Sequence, residues 1–347
     1  MIGSAWTLLL VPILATGLAR QDAPASSECA ANLLESVVAV LEERYYHEDF
    51  REARLPGLAA RYRPRAAEAC GLAEQRAVAF EFLSEIPASH LSLFSGASFR
   101  RIVAELRGRP SPTVGFELLE LDGEHFVHNV VDGGPAAEAG LLSGDRVLAI
   151  AGQPVASSPR LDWRTDDAYR DDPPLRALLV ADGEAIDLLV EPRPGAQRAI
   201  RVSARPYSLL EASRASAQIY ERGDVAIGYF HLWLVQFTGV SELLRQKLET
   251  ELAASDALVF DLRGRGGNRA TVPRLLEVLD DARAARDLPL VALIDRGTRS
   301  AKEVIAHELR KRGRTLLVGE RTAGAVIPAA FADVGEDTYL MFPPFEY

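Results

Sequence analysis

Residues Leu293 to Ala325 read LIDRGTRSAKEVIAHELRKRGRTLLVGERTAGA. The stretch opens as a buried strand, breaks at Gly297 and sets Ser300 at the first turn of a helix, after which TLLVGE forms a second apolar strand. Strand, helix, strand in that order predicts two parallel strands joined by a crossover helix. The alternation reaches back to Asp224 through VAIGYFHLWL, VSELLRQKLETELAA, ALVFDLRG, ATVPRLLEVLDDARAA and LPLVALID. Residues 205–347 therefore read as an α/β domain with a mostly parallel, helix-covered sheet.

Upstream the period changes twice. Over residues 112–204 it is that of strands: TVGFELLEL and EHFVHNVV flank Asp122-Gly123, a strong hairpin signal. A short helix at Pro135–Ala139, the turn Ser143-Gly144-Asp145 and the strand RVLAIAG follow. The long acidic segment RLDWRTDDAYRDDPPL has no counterpart in this pattern. Over residues 20–108 the period is helical, with Leu33, Leu34, Val37, Val38 and Leu41 three and four apart, and LAEQRAVAFEFLSEIP stopping at Pro87. That segment ends in IPASHLSLFSGASFRRI, which holds Ser89 and His90.

The chain has 347 residues, enough for two or three domains. With 25% charged and 48% hydrophobic residues, disordered and collagen-like classes are excluded. A net charge of -10, with arginines scattered among carboxylates, argues against a nucleic-acid partner. The apolar run from Trp6 to Leu18, followed by small residues, fits a signal peptide over residues 1–19. No Lys or Arg precedes the run, so an uncleaved anchor is the competing reading. Cleavage would leave no stable membrane span and a periplasmic or secreted chain. There, Cys29 and Cys70 can bridge, adding about 3–4 kcal/mol, or stay as buried thiols. No Cys/His spacing suits a metal, and no cofactor is implied.

Ser300 admits two readings, a helix N-cap or a nucleophile beside the positive end of a helix dipole. The strand VFDL runs into Gly264-Arg265-Gly266-Gly267, where backbone can come close to a ligand and offer amides. Walker-A and Rossmann spacings are absent, which excludes the phosphate-loop reading. A serine nucleophile needs a base, and six histidines compete: His47, His90, His125, His128, His231 and His307. Lys302, two residues along a helix from Ser300, points about 200° round the axis and is a poor partner.

The run GPAAEAGLLSGDRVLAIAG resembles a PDZ domain, and the loop Val114-Gly115-Phe116 falls where such domains take a peptide chain end. The order of the helical segment with SH, the PDZ-like run, GYFHLWLVQF, DLRGRGG and TRSAKE…GRTLLVGERTAGA resembles the tail-specific, C-terminal processing peptidases, which include the tricorn protease core. The resemblance implies a ClpP/crotonase-like peptidase domain with Ser300 as nucleophile. It also implies an oxyanion hole from Gly266, Gly267 and Ala301. One branch of that family takes its base from a lysine in Thr-x-Gly-Lys-Gly, where this chain has Ala325. The tricorn-like branch uses a Ser-His pair, which falls on Ser89 and His90, together with a late glutamate. No glutamate of that kind is recognisable before Tyr347, which leaves two expectations, a peptidase domain cut short at its C-terminus or a degenerate enzyme. Arg265 stands where the family usually has asparagine; reaching into the cleft to bind a carboxylate is one reading, and solvent exposure is its expected state.

The expected function is a serine endopeptidase acting on protein or peptide substrates through an acyl-enzyme, with the PDZ domain presenting a chain end. The alternative is a catalytically inactive peptidase-like protein that binds peptides through its PDZ domain.

Overall fold

The computed structural model describes residues 33–163, 175–313 and 315–346. The signal-like run, Cys29 and most of the acidic segment lie outside the described residues, and with Cys29 the question of its pairing with Cys70.

The N-terminal part is a helical layer: α1 (Leu33–Arg44), α2 (Glu48–Ala53), α3 (Leu55–Glu68) and α4 (Leu72–Ser84), then β1 (Ser92–Ser95) and α5 (Gly96–Leu106). The expected stripe of Leu33, Leu34, Val37, Val38 and Leu41 is buried against α3 and α4. Each fully buried leucine removed from water contributes about 1.5–3 kcal/mol.

The PDZ part comprises β2 (Ser111–Thr113), β3 (Phe116–Leu121), β4 (Glu124–Val130), α6 (Pro135–Glu138), β5 (Arg146–Ile150), β6 (Gln153–Pro154), β7 (Leu161–Trp163), β8 (Leu175–Leu178), β9 (Ala185–Glu191), β10 (Arg198–Ser203) and β11 (Arg205–Tyr207). Its main sheet runs β10-β9-β5-β4-β3-β8-β7. The hairpin turn forms at Asp122-Gly123, both with positive φ.

The third part holds α7 (Leu209–Ser216), β12 (Gln218–Arg222), β13 (Val225–His231), α8 (Val240–Glu249), β14 (Ala257–Asp261), α9 (Val272–Arg286), β15 (Leu290–Ile294), α10 (Ala301–Lys311), β16 (Thr315–Gly319), β17 (Ala330–Asp333) and β18 (Thr338–Phe342). Its sheet runs β12-β13-β14-β15-β16, with β13 to β16 parallel and β12 antiparallel at the edge. Phe230, Phe260, Leu258 and Ala292 form its centre, covered by Leu243, Leu244, Leu275, Leu276, Ile305 and Leu309 from the helices.

The last two strands leave this sheet. β18 pairs antiparallel with both β17 and β1, and Leu340 and Phe342 enter the core of the helical layer. Arg76 of α4 donates through Nε to Thr338 Oγ1 at 2.9 Å. The pairing of Ser92 with Met341 brings the C-terminal strand up against the loop carrying His90.

The PDZ part is seated on the third part by named contacts. Trp233 Nε1 donates to Asp132 Oδ2 at 2.9 Å, and Val131 packs with Leu209, Ala212 and Leu234; within the PDZ part, Tyr207 donates its hydroxyl to the Asp132 carbonyl at 2.8 Å.

Candidate active site

A cleft of about 680 Å³ lies where the three parts meet, and Ser300, His90, Gly266, Gly267 and Ala301 all line it. Phe99, Phe237, Phe331 and Met341 give it apolar walls.

Ser300 sits at the N-cap of α10 with φ 53 and ψ -122, a conformation costly for any residue with a Cβ. Both N-cap and cleft-facing readings thus describe the same residue. Its hydroxyl and the Glu303 amide stand in capping-box arrangement, but without a side-chain cap hydrogen bond of proper geometry. Capping falls instead to Glu303, whose Oε2 accepts from the Ser300 amide at 3.0 Å. The same carboxylate accepts from the Ala325 amide at 2.8 Å, the Gly324 amide at 2.7 Å and the Thr322 hydroxyl at 2.8 Å. Glu303 is 8% exposed, so these bonds stand in place of water around a buried charge. They lash the loop 322–325 to the serine. The Ser300 amide also donates to the Ala325 carbonyl at 2.9 Å, and Ala325 is buried. The position that carries a lysine in the other branch is here a packed alanine.

His90 is 5% exposed and has φ 61. Among the described residues seven non-glycine positions have positive φ, and Ser300 and His90 are the two that line the cleft. Backbone strain of this sort gathers where geometry is fixed for function. Ser89 Oγ lies 3.0 Å from His90 Nδ1, a contact that orients the ring.

Gly266 and Gly267 allow the chain to turn beside the serine. Gly267 has φ 126, and a Cβ there would lie 2.3 Å from the Val235 carbonyl oxygen, so only glycine fits. Val235 donates to the Gly266 carbonyl at 3.0 Å and accepts from Asn268 at 2.7 Å, which pins the turn from the other side. Among the described residues no hydrogen bond uses the amides of Gly266, Gly267 or Ala301. Ala301 is the first residue of α10, where the dipole adds positive potential.

Three expectations need amendment. Arg265 is not left to solvent: it pairs with Glu105 of α5 at 3.0 Å and with Glu117 of β3. Glu117 is 4% exposed, and a guanidinium across from it compensates its burial. Val114 and Phe116 point into the PDZ core, and the Gly115 amide is donated to Thr113 Oγ1 at 3.0 Å. β3 is also not a free edge, because β8 pairs with it at Leu118 and Leu119. Finally, His128 lines the cleft as well. Its pKa is lowered by desolvation, partly offset by the negative charge of Asp295. Strand periodicity located it in the PDZ sheet but could not place the cleft beside it.

Lys302 turns away from the cleft. It is fully buried and donates through Nζ to the Arg263 carbonyl at 2.8 Å.

Comparisons with known proteins concern the domains and the fold. The model of peptidase family S41 matches residues 268–347, and that of a PDZ domain matches residues 126–168. These two stretches of the chain are thus similar to an S41 peptidase domain and to a PDZ domain. It is 26% identical over 273 residues to the chloroplastic C-terminal processing peptidase of Tetradesmus obliquus, covering 68% of this chain and 56% of that protein. To the carboxyl-terminal-processing protease of Picosynechococcus sp. it is 25% identical over 214 residues, covering 55% and 48%. The chain thus spans about half the length of the curated relatives it matches. Among solved structures, the photosystem II D1 C-terminal processing protease superposes with a TM-score of 0.54 at 18% identity, covering 92% of this chain and 88% of that one. Mature CPAF gives 0.51 at 13%, covering 92% and 89%. At such identities the likeness concerns the fold. Among the described residues no helix is long and apolar enough to cross a membrane.

Proposed function

We propose that this protein is an exported serine endopeptidase, periplasmic or secreted, in which Ser300 is the nucleophile and His90, oriented by Ser89, the general base. The observation that carries the reading is the meeting of Ser300, His90 and three unspent amides in one cleft. Ser300 Oγ attacks the scissile carbonyl carbon while its proton passes to His90 Nε2. The carbonyl oxygen becomes an oxyanion and takes hydrogen bonds from the amides of Gly266, Gly267 and Ala301. Collapse breaks the C–N bond, and the leaving amine takes the proton from His90. Water, deprotonated by His90, then cleaves the acyl-enzyme and frees Ser300.

Peptide substrates enter through the apolar walls of the cleft. The PDZ domain contributes Glu117, His128 and Asn129 to its lining, so a chain held by that domain lies next to Ser300. A fluorophosphonate probe with mass spectrometry tests the reading: adduct at Ser300 in the folded wild type, and neither adduct nor peptide cleavage in Ser300→Ala. Folded protein that takes no label would instead favour a peptide-binding protein.

A further inference from the structure

We propose that Lys302 is a positioning residue for the glycine turn, holding the Arg263–Gly264 peptide in the plane that aims the following amides at the cleft. The inference rests on the reading of Ser300 as nucleophile and deepens it.

Side chains around Ser300 grip three successive backbone groups of the strand exit. Thr298 donates its hydroxyl to the Leu262 carbonyl at 3.0 Å. Lys302 Nζ donates to the Arg263 carbonyl at 2.8 Å, and Asp295 Oδ1 accepts from the Gly264 amide at 2.9 Å. A peptide unit is planar, so fixing its carbonyl and its amide from opposite sides fixes its plane. Without that hold, Gly264, Gly266 and Gly267 would let the turn wander, since glycine gains most conformers when released. Asp295 precedes Ser300 by one loop and Lys302 follows it by half a helix turn. The serine and the amides meant for its oxyanion are thereby built from one bracket.

The chemistry of the position supports a purpose beyond filling space. Lys302 is 0% exposed, and an ammonium there is costly where Met or Leu would pack without penalty. Burial lowers its pKa to about 7, against the pull of Asp261 and Asp295. Both protonation states keep an N–H for the Arg263 carbonyl, which accepts no other hydrogen bond among the described residues.

The test uses the full chain with Lys302→Met, which keeps the length and removes the donor, and Lys302→Arg, which keeps a donor. For peptide cleavage, the Met variant should lose about ten- to hundredfold in kcat with KM unchanged, the pattern of lost transition-state support. Amide exchange at Gly264, whose N–H is held by Asp295, should quicken about tenfold as its peptide loosens and that buried hydrogen bond weakens, and the Arg variant should recover part of both. A folded Met variant with wild-type kcat and exchange overturns the proposal, as does an Arg variant damaged as badly as Met. Wild type that neither cleaves nor labels sinks the peptidase reading instead, while exchange still decides the role of Lys302. Should Lys302→Met not fold, Asp295→Ala frees the amide of the same peptide, and unchanged exchange there counts against the proposal.

Discussion

Gly266 and Ser300 stand closer than two side chains can: a Cβ on the glycine would lie 2.6 Å from Ser300 Cβ and 2.7 Å from the Arg299 carbonyl oxygen. Gly266→Ala must therefore move the backbone that bears the nucleophile. The expected cost is about 1–3 kcal/mol in stability, with probe labelling at Ser300 slowed about a hundredfold as the amides leave their place. Labelling kinetics beside a thermal melt separate the two effects. A variant labelled at the wild-type rate would mean that the glycine turn takes no part in the chemistry.

His90 and His128 both line the cleft, and exchanging each for alanine decides between them. Loss of the general base lowers kcat by about 10²–10⁴. That loss is expected for His90→Ala, with His128→Ala changing KM more than kcat. The reverse pattern in steady-state kinetics would move the base to the PDZ strand.

Glu303 accepts from the amides of Ser300, Gly324 and Ala325 and from the Thr322 hydroxyl. Glu303→Ala strips the Thr322 hydroxyl and the Gly324 and Ala325 amides of their acceptor, leaves the Ser300 amide only the Ala325 carbonyl, and should destabilise the fold by about 2–4 kcal/mol. Glu303→Gln, which keeps one oxygen, should lose less. Denaturant titration gives both values, and a Glu303→Ala melt indistinguishable from wild type would refute the bracing role.

Lys302 makes stability depend on pH in a defined direction. Its folded pKa, lowered to about 7 by burial, lies below the value of about 10.4 for an unfolded lysine. Between those values the unfolded chain binds the extra proton, so this group's contribution to stability rises with pH and levels off below about 7. Wild type minus Lys302→Met, taken from melts at pH 6 to 10, should show that rise. A flat difference would indicate that the lysine keeps its ordinary affinity for a proton.

Much of the architecture was legible in short windows of sequence. Apolar runs such as ALVFD and LVALI, separated by amphipathic helices, announced the parallel sheet, and Asp122-Gly123 announced the β3–β4 turn. The short strands β1, β11 and β12 and the helix α7 were not foreseen, because elements of a few residues carry too little periodicity. Within the candidate site, Ser300 and the glycine turn could be found from their neighbours alone. His90 was nominated by resemblance, since among six histidines its place in a loop after a helix gave it only a small lead. Binding of a carboxylate by Arg265 was one reading of the sequence, but nothing named Glu117 as the partner, because the two residues are far apart in the chain.

What the sequence by itself determined is local: where helices begin and end, which faces are apolar, and where only glycine can turn. Those properties follow from backbone sterics and from the period of side chains along a single element. The tertiary structure alone decided that β18 returns to pair with β1 and so sets the His90 loop, that β8 lies against β3, and that Lys302 reaches the Arg263 carbonyl. Each of these joins residues far apart in the chain or on facing elements, where the partner is selected by the packing of the whole molecule and no nearby pattern encodes it.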